Sequence, residues 1–439
     1  MNFYLEVKKA YGLAIEKGIE DEIKQAVFVV DYLHDLIELD ENIVGRNIRF
    51  KEEVSDDLLF MAYEAYEPKK QIFALQSFKL NRYNYDALLV IVCDMLSLTK
   101  RLFLLKILLN DATNHLHENG YFEPEYEGSF WGIMETRPYM RLKDVYIQAL
   151  FYDQNYYEAI EQAKEALYLC KNDNIGIRFI YMTMLCITKQ YQEAINVYQT
   201  YQEDVSPFFI IPASIAYFNL NEKEKAKTLI NKMTKLNKHF STVLFNPKYI
   251  DLDNECDDEK YIRGGIDEMY LAISDNSKII FTDLPYYEWL KKNYIPNTSN
   301  KKLDINLITK IYEDIYQEPN YRYYYFPRTQ RFYTYKFTDK YFFPIDKNEK
   351  KIDAILENYE KMYPVFEYLS IDKIREDFVI TLDELVRKTF ISKKTGKIIR
   401  PSFLKKVEKY GLINQYQEYL KAAYLYNARV WCHYHHLFY

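Results

Sequence analysis

Three alanines recur at matched places along this chain: Ala159, Ala194 and Ala226, separated by 35 and 32 residues. Each sits in the second of two short amphipathic patterns. A repeat of about 34 residues built from a helix pair is how a stack of helical hairpins is written in sequence. One hairpin cannot bury its apolar face alone, so successive hairpins must stack into a curved rod with a long groove. Small side chains at the matched places allow two helices to cross closely. The expected fold class is therefore mainly α: a right-handed solenoid of helical hairpins, with a helical N-terminal region and an α+β or irregular aromatic-rich C-terminal region.

Three units are clear, at residues 139–172, 175–205 and 207–238. Their predicted helices are 139–152 with 156–170, 175–188 with 191–203, and 207–218 with 222–237. Pro207 falls where a helix begins, a place where its missing N–H costs nothing. Residues 81–240 form the predicted repeat region, with a degenerate helix pair between Asp86 and Leu116. Leu102, Leu104, Leu105, Leu108 and Leu109 suggest burial of its second helix on more than one side. Residues 1–80 read as helices, with Leu5, Ala10, Leu13, Ala26, Val29, Val30, Leu33 and Ile37 at three-four spacing and a helix start at Asp56-Asp57. Residues 241–300 read as a helical extension, with an acidic turn at 251–259 and a helix near Gly265 to Ser274. Residues 301–439 form an aromatic and basic region. Its segment 320–343 predicts a β-hairpin turning at Pro327-Arg328-Thr329-Gln330, and helices resume after Glu349.

Only 11 glycines and 13 prolines among 439 residues disfavour a loop-rich all-β chain. A net charge of -6 with 49% hydrophobic residues fits an ordinary globular protein. The 45 tyrosines are first a matter of genome base composition, although tyrosine also suits binding surfaces. Five cysteines without CxxC spacing read as reduced thiols, and the N-terminal segment lacks the apolar core of a signal peptide. The most apolar stretch, 87–109, is broken by Asp94, Lys100 and Arg101, making it a poor membrane span. The expectation is a cytoplasmic protein.

Just before the repeats the chain reads Phe130-Trp131-Gly132, then Glu135-Thr136-Arg137-Pro138-Tyr139-Met140-Arg141. This box, the run YYEAIEQAKEALYL and the junction Asn172 to Arg178 resemble tetratricopeptide-repeat proteins. The closest likeness is to a mostly uncharacterised bacterial subset of them. The resemblance spans about residues 84–290. It implies the helical-repeat fold and a general role in binding proteins or peptides, with no activity attached. In the box, Pro138 would open a helix and Trp131 supplies apolar area. Arg137, Arg141 and Arg178 could pair with Glu135 or Asp173, or hold a partner's carboxylate. A junction that fixes helix angles and a ligand contact are the two readings, the first favoured.

In standard repeat geometry, positions two, five, nine and twelve of each first helix face the groove. They are Arg141, Asp144, Gln148 and Phe151; then Gly176, Phe179, Thr183 and Cys186; then Phe208, Ile211, Ile215 and Phe218. The groove grades from polar to apolar, which suits an apolar or amphipathic helical segment. The chain's own C-terminal region is an equal candidate to fill the apolar end. A second site candidate is the basic run Arg387, Lys388, Lys393, Lys394, Lys397, Arg400, Lys405 and Lys406, without an acidic residue between its ends. With Arg322, Arg328 and Arg331 it could bind single-stranded nucleic acid, although a solvated loop is the default. Cys432, His433, His435 and His436 are too cramped for a zinc site and read as packing at a helix end. No nucleotide-binding, hydrolase or metalloprotease motif occurs, and the 7 histidines are scattered or terminal. The reading is a non-enzymatic adaptor for a protein or peptide, without cofactor or metal. A nucleic-acid-associated protein is the rival, and an enzyme with an unrecognised C-terminal site a distant third.

Overall fold

Side-chain caps set many of the helix starts. Asn2, Asp21, Asp40 and Asn84 each accept a hydrogen bond from a backbone N–H two or three residues on, satisfying donors that a helix start leaves open. In this computed structural model the described residues are 2–46, 48–95, 97–245, 261–294, 303–317, 321–327, 331–336, 342–344, 363–365, 370–392, 398–435, 437 and 439. They are mainly helical, with one small sheet, and fall into two units, residues 1–184 and 185–439. No helix among them is long and apolar enough to cross a membrane.

The first unit begins with α1 (Phe3–Glu16), α2 (Glu22–Leu36), α3 (Glu41–Val44), α4 (Lys51–Glu64) and α5 (Lys69–Leu80). It continues with α6 (Tyr85–Cys93), α7 (Leu98–Glu118), α8 (Arg137–Tyr152), α9 (Tyr156–Leu169) and the first part of α10 (Ile177–Ile187). Helices α4, α6 and α8 pack in succession. Two serines let α4 and α5 cross: Ser55 and Ser77 are buried, each hydroxyl donates to the other's carbonyl, and Asn84 donates to both. Arg82 places its fork on Asp111 at 2.7 and 2.8 Å and its Nε on Asp31, tying α2 to α7.

Two expectations for this unit change. Leu5 is exposed, because α1 turns Phe3, Val7, Ala10 and Ala14 inward at four-three-four spacing instead. Helix α4 starts at Lys51, with Glu52 and Glu53 in its first turn, so Asp56 and Asp57 lie on its exposed middle. The leucine-rich α7 does bury Leu104, Leu105, Leu108 and Leu109.

The second unit holds the rest of α10, then α11 (Tyr191–Thr200), α12 (Pro207–Asn219), α13 (Lys223–Leu236) and α14 (Phe240–Phe245). After them come α15 (Ile266–Asp275), α16 (Ser277–Thr282), α17 (Leu284–Tyr294) and α18 (Ile305–Gln317). The sheet follows: β1 (Tyr321–Phe326), β2 (Arg331–Lys336), β3 (Phe342–Pro344) and β4 (Tyr363–Val365), in the order β3-β2-β1-β4 and antiparallel throughout. The predicted hairpin is there, with Tyr321 opposite Lys336 and Phe326 opposite Arg331; its turn residues 328–330 lie outside the described residues, as does the acidic turn at 251–259. Strand β4 interrupts the helical stretch expected after Glu349, whose first residues, 350–362, lie outside the described residues. The chain closes with α19 (Ile371–Ile380), α20 (Glu384–Phe390), α21 (Phe403–Lys409) and α22 (Ile413–Tyr434). Helix α22 packs on α16, α18, α19 and α21. From it, buried Trp431 donates to the Pro364 carbonyl at 2.8 Å and buried Arg429 to the Phe281 carbonyl at 2.6 Å.

The six repeat helices agree with their predicted bounds to within three residues, and Ala159, Ala194 and Ala226 are fully buried. The turns between paired helices share a geometry that composition hides. Gln154, Lys189 and Asn221 all have a left-handed backbone, at φ 60, 59 and 63°. The next N–H in each case reaches back to Leu150, Leu185 or Tyr217 at 2.8–2.9 Å, closing the helix end with a six-to-one bond. Each left-handed residue stands five before its alanine.

Candidate partner-binding site

The box folds as a buttress for α8. Phe130-Trp131-Gly132 is a 3-10 turn, and the fully buried Thr136 hydroxyl bonds the carbonyls of Phe130 and Ile133. Pro138 lies in the first turn of α8, as expected. Phe130 and Tyr139 are buried and both contact the Phe122 ring. Behind the box, Lys171 N donates to the Gly128 carbonyl, and Ser129 pairs with Cys170 in a single β-bridge. Glycine is favoured at 128, where φ is +78° and a Cβ would push the Lys171 side chain aside.

The three box-associated arginines are held by the protein itself. Arg137 Nε donates to the Trp131 carbonyl at 2.8 Å, and its guanidinium lies 5.7 Å from the Trp131 ring centre. Arg141 places its fork on Asp86 of α6, with Nε to Oδ1 at 2.8 Å, and its guanidinium also faces Trp131. Arg178 meets Asp173 at 2.7 Å, one of the pairings that the sequence left open. Asp173 is buried with a positive φ of 46°, and its carboxylate caps α10 by accepting from the N–H groups of Ile177 and Arg178. The Asn172 to Arg178 junction is therefore a helix cap. Glu135 and Met134 point outward beside these packed residues, while Met140 is fully buried.

Of the positions expected to face a groove in the first hairpin, Arg141, Asp144 and Phe151 are half-buried and Gln148 is exposed. Asp144 accepts from Gln148 at 3.1 Å and has no cation beside it among the described residues. Burial, with Asp173 as a further negative charge, raises its carboxyl to about 6; the Gln148 hydrogen bond opposes this. Phe179 is half-buried under the Arg178 guanidinium at 4.3 Å, and Thr183 is buried, bonding back to the Phe179 carbonyl. Asp86, 55 residues before Arg141, was missed by sequence reasoning. Its signal is an acid opening a helix whose next six residues, Ala87 to Val92, are all buried and apolar. An aspartate on so buried a helix requires a cation.

The third hairpin differs. Phe208 is half-buried, whereas Ile211, Ile215 and Phe218 are buried. Phe218 packs its ring on Tyr286 and Trp289 of α17, both at 5.4 Å. Ser214 and Tyr286 share a hydroxyl hydrogen bond, and Asn219 donates to Asp283. The apolar face proposed for a ligand is thus covered by helices of the same unit. The cover comes from residues 266–294, in the predicted helical extension, and not from the C-terminal region expected as the alternative occupant.

In the basic run, Lys388, Arg400 and Lys405 are exposed and Arg387 is half-buried. Arg400 pairs with Asp372 at 3.2 Å, and Lys406 donates to the Thr389 carbonyl. Lys393, Lys394 and Lys397 lie outside the described residues, as does Arg328. At the chain's end the His435 ring stacks on Tyr363 at 4.3 Å and Cys432 is buried; His436 lies outside the described residues. No group of three metal-ligating side chains comes together among the described residues. No family model, curated protein or solved structure matches this chain.

Proposed function

We propose that the chain is a non-enzymatic adaptor in which helices α8 to α13 are tetratricopeptide-like units of a right-handed solenoid, binding a protein or peptide segment. The observation that carries this reading is the recurrence of one local design: a left-handed turn residue followed five residues later by a fully buried alanine, three times at 35 and 32 residues. Within the repeats, the partner-facing surface is that of the earlier hairpins. There Asp144, Gln148, Phe151 and Phe179 remain partly open, while the last hairpin is covered from within. A half-open face that mixes aromatic and polar side chains suits an amphipathic segment.

A photo-crosslinking amino acid placed at Gln148 tests this in the organism's own cells. The expected result is a discrete crosslinked partner that disappears when Phe151 becomes Ala and survives charge reversal of Lys393, Lys394 and Lys397. Crosslinks no different from those of a probe at exposed Leu404 would overturn it. Filter binding of single-stranded nucleic acid that falls steeply with salt would favour the rival reading through the basic run.

A further inference from the structure

Helix α4 has a surface that its fold does not use. Residues 52–67 contain six carboxylates and no lysine or arginine. All six are exposed, and none forms an ion pair with a described residue. Phe60, Met61, Tyr63 and Tyr66 stand among them at 65, 45, 58 and 91% exposure. The face of α4 committed to the core is a different one, made by Ser55, Leu58 and Ala62. Single exposed apolar side chains are ordinary, but four large ones within seven residues are a concentration that the fold of α4 itself does not account for.

The spacing gives this surface an order. Glu53, Asp57, Phe60 and Glu64 follow one another at four, three and four residues and so form one stripe along the helix. Asp56 and Tyr63, seven apart, run beside it. Partial desolvation raises the Asp56 carboxyl, and the neighbouring charges of Asp57, Asp86 and Glu52 add to it. A complementary surface must offer apolar side chains flanked by cations. Nucleic acid, an anionic membrane and the same face of a second copy all bring negative charge and are repelled.

We propose that α4 is a docking face for a basic amphipathic segment of a partner protein. The partner's apolar side chains would rest on Phe60 and Tyr63, and its lysines or arginines would meet Glu53, Asp57 and Glu64. Long cationic side chains suit this surface, since their stems lie along aromatic rings while their heads reach carboxylates. The proposal does not rest on what the α8 groove binds, although Arg141 and its partner Asp86 are among the charges that act on Tyr63.

The test uses the full chain and two fluorescent peptides of about 18 residues with leucines at three-four spacing, one with lysines elsewhere and one with glutamates. Fluorescence anisotropy should show saturable one-to-one binding of the lysine peptide and none of the glutamate peptide. Both Phe60→Ser with Tyr63→Ser, and Asp57→Lys with Glu64→Lys, should weaken binding by about tenfold or more at an unchanged melting temperature. If the serine pair lowers the melting temperature, the charge-reversal pair decides, since both its positions are exposed. Absence of binding, or equal binding by wild type and the charge-reversal pair, overturns the proposal. So does concentration-dependent self-association that either pair abolishes, which would make a second copy of the chain the occupant.

Discussion

The hairpins α8–α9 and α12–α13 share a turn geometry and a buried alanine, yet they treat their inner positions in opposite ways. In the first, Arg141, Asp144, Gln148 and Phe151 are polar or half-open, and the one strong cation is neutralised by Asp86. In the second, Ile211, Ile215 and Phe218 are buried, and α17 lays Tyr286 and Trp289 against Phe218. The backbone design leaves the choice open, and side-chain polarity makes it. An apolar stripe exposed to water costs about 25 cal/mol per Å², so the chain supplies its own cover. A polar stripe carries no such penalty and can remain available.

The sharpest break of this comparison is to remove matched aromatic rings. Phe218→Ala should cost about 3–5 kcal/mol in urea unfolding, because its ring is buried, unlike that of Phe151, and its removal leaves a cavity. Phe151→Ala, at the equivalent place, should cost about 1 kcal/mol or less. Equal losses would mean that the two faces are buried alike. Next, Ala194→Leu should destabilise by about 1–3 kcal/mol by overpacking the helix crossing. An unchanged melting curve would remove that alanine from the crossing.

Asp144 gives a pH-dependent test of the open face. Its folded-state carboxyl titrates at about 6, above the ordinary 3.8, so the folded chain holds a proton that the unfolded chain has released between those values. Its contribution to stability is therefore greatest below about pH 4, falls as pH rises to about 6, and stays low above that. Asp144→Asn should be about 1–2 kcal/mol more stable than the parent at pH 7 and no different at pH 4. A stability difference independent of pH would show that Asp144 is not the desolvated group. The smallest effect belongs to the turns the hairpins share: Lys189→Gly should gain about 0.5–1 kcal/mol by relieving a left-handed backbone. A loss of stability there would show that the lysine side chain contributes more than its backbone costs.

Helix positions were legible because apolar spacing and Pro207 mark them directly. The turns were not, since Gln154, Lys189 and Asn221 occupy left-handed places where a reader looks for glycine, and this chain has few. Pairing across elements was legible only at short range. Arg178 with Asp173 lies five residues apart and was among the pairings considered; Arg141 with Asp86 lies 55 apart and was not. The apolar grade of Ile211, Ile215 and Phe218 announced a need for cover without identifying it. The covering helix, with Tyr286 and Trp289, carries no repeat pattern that would connect it to them.

The anchoring of α22 has a consequence for synthesis. Arg429 bonds a carbonyl 148 residues earlier and Trp431 one 67 residues earlier. Hairpins such as α8–α9 join neighbours along the chain and can close while still near the ribosome. The core around Phe281 and strand β4 must instead wait for residues 429–431 to be translated. Until then the aromatic side chains of that core lack the helix that helps to bury them.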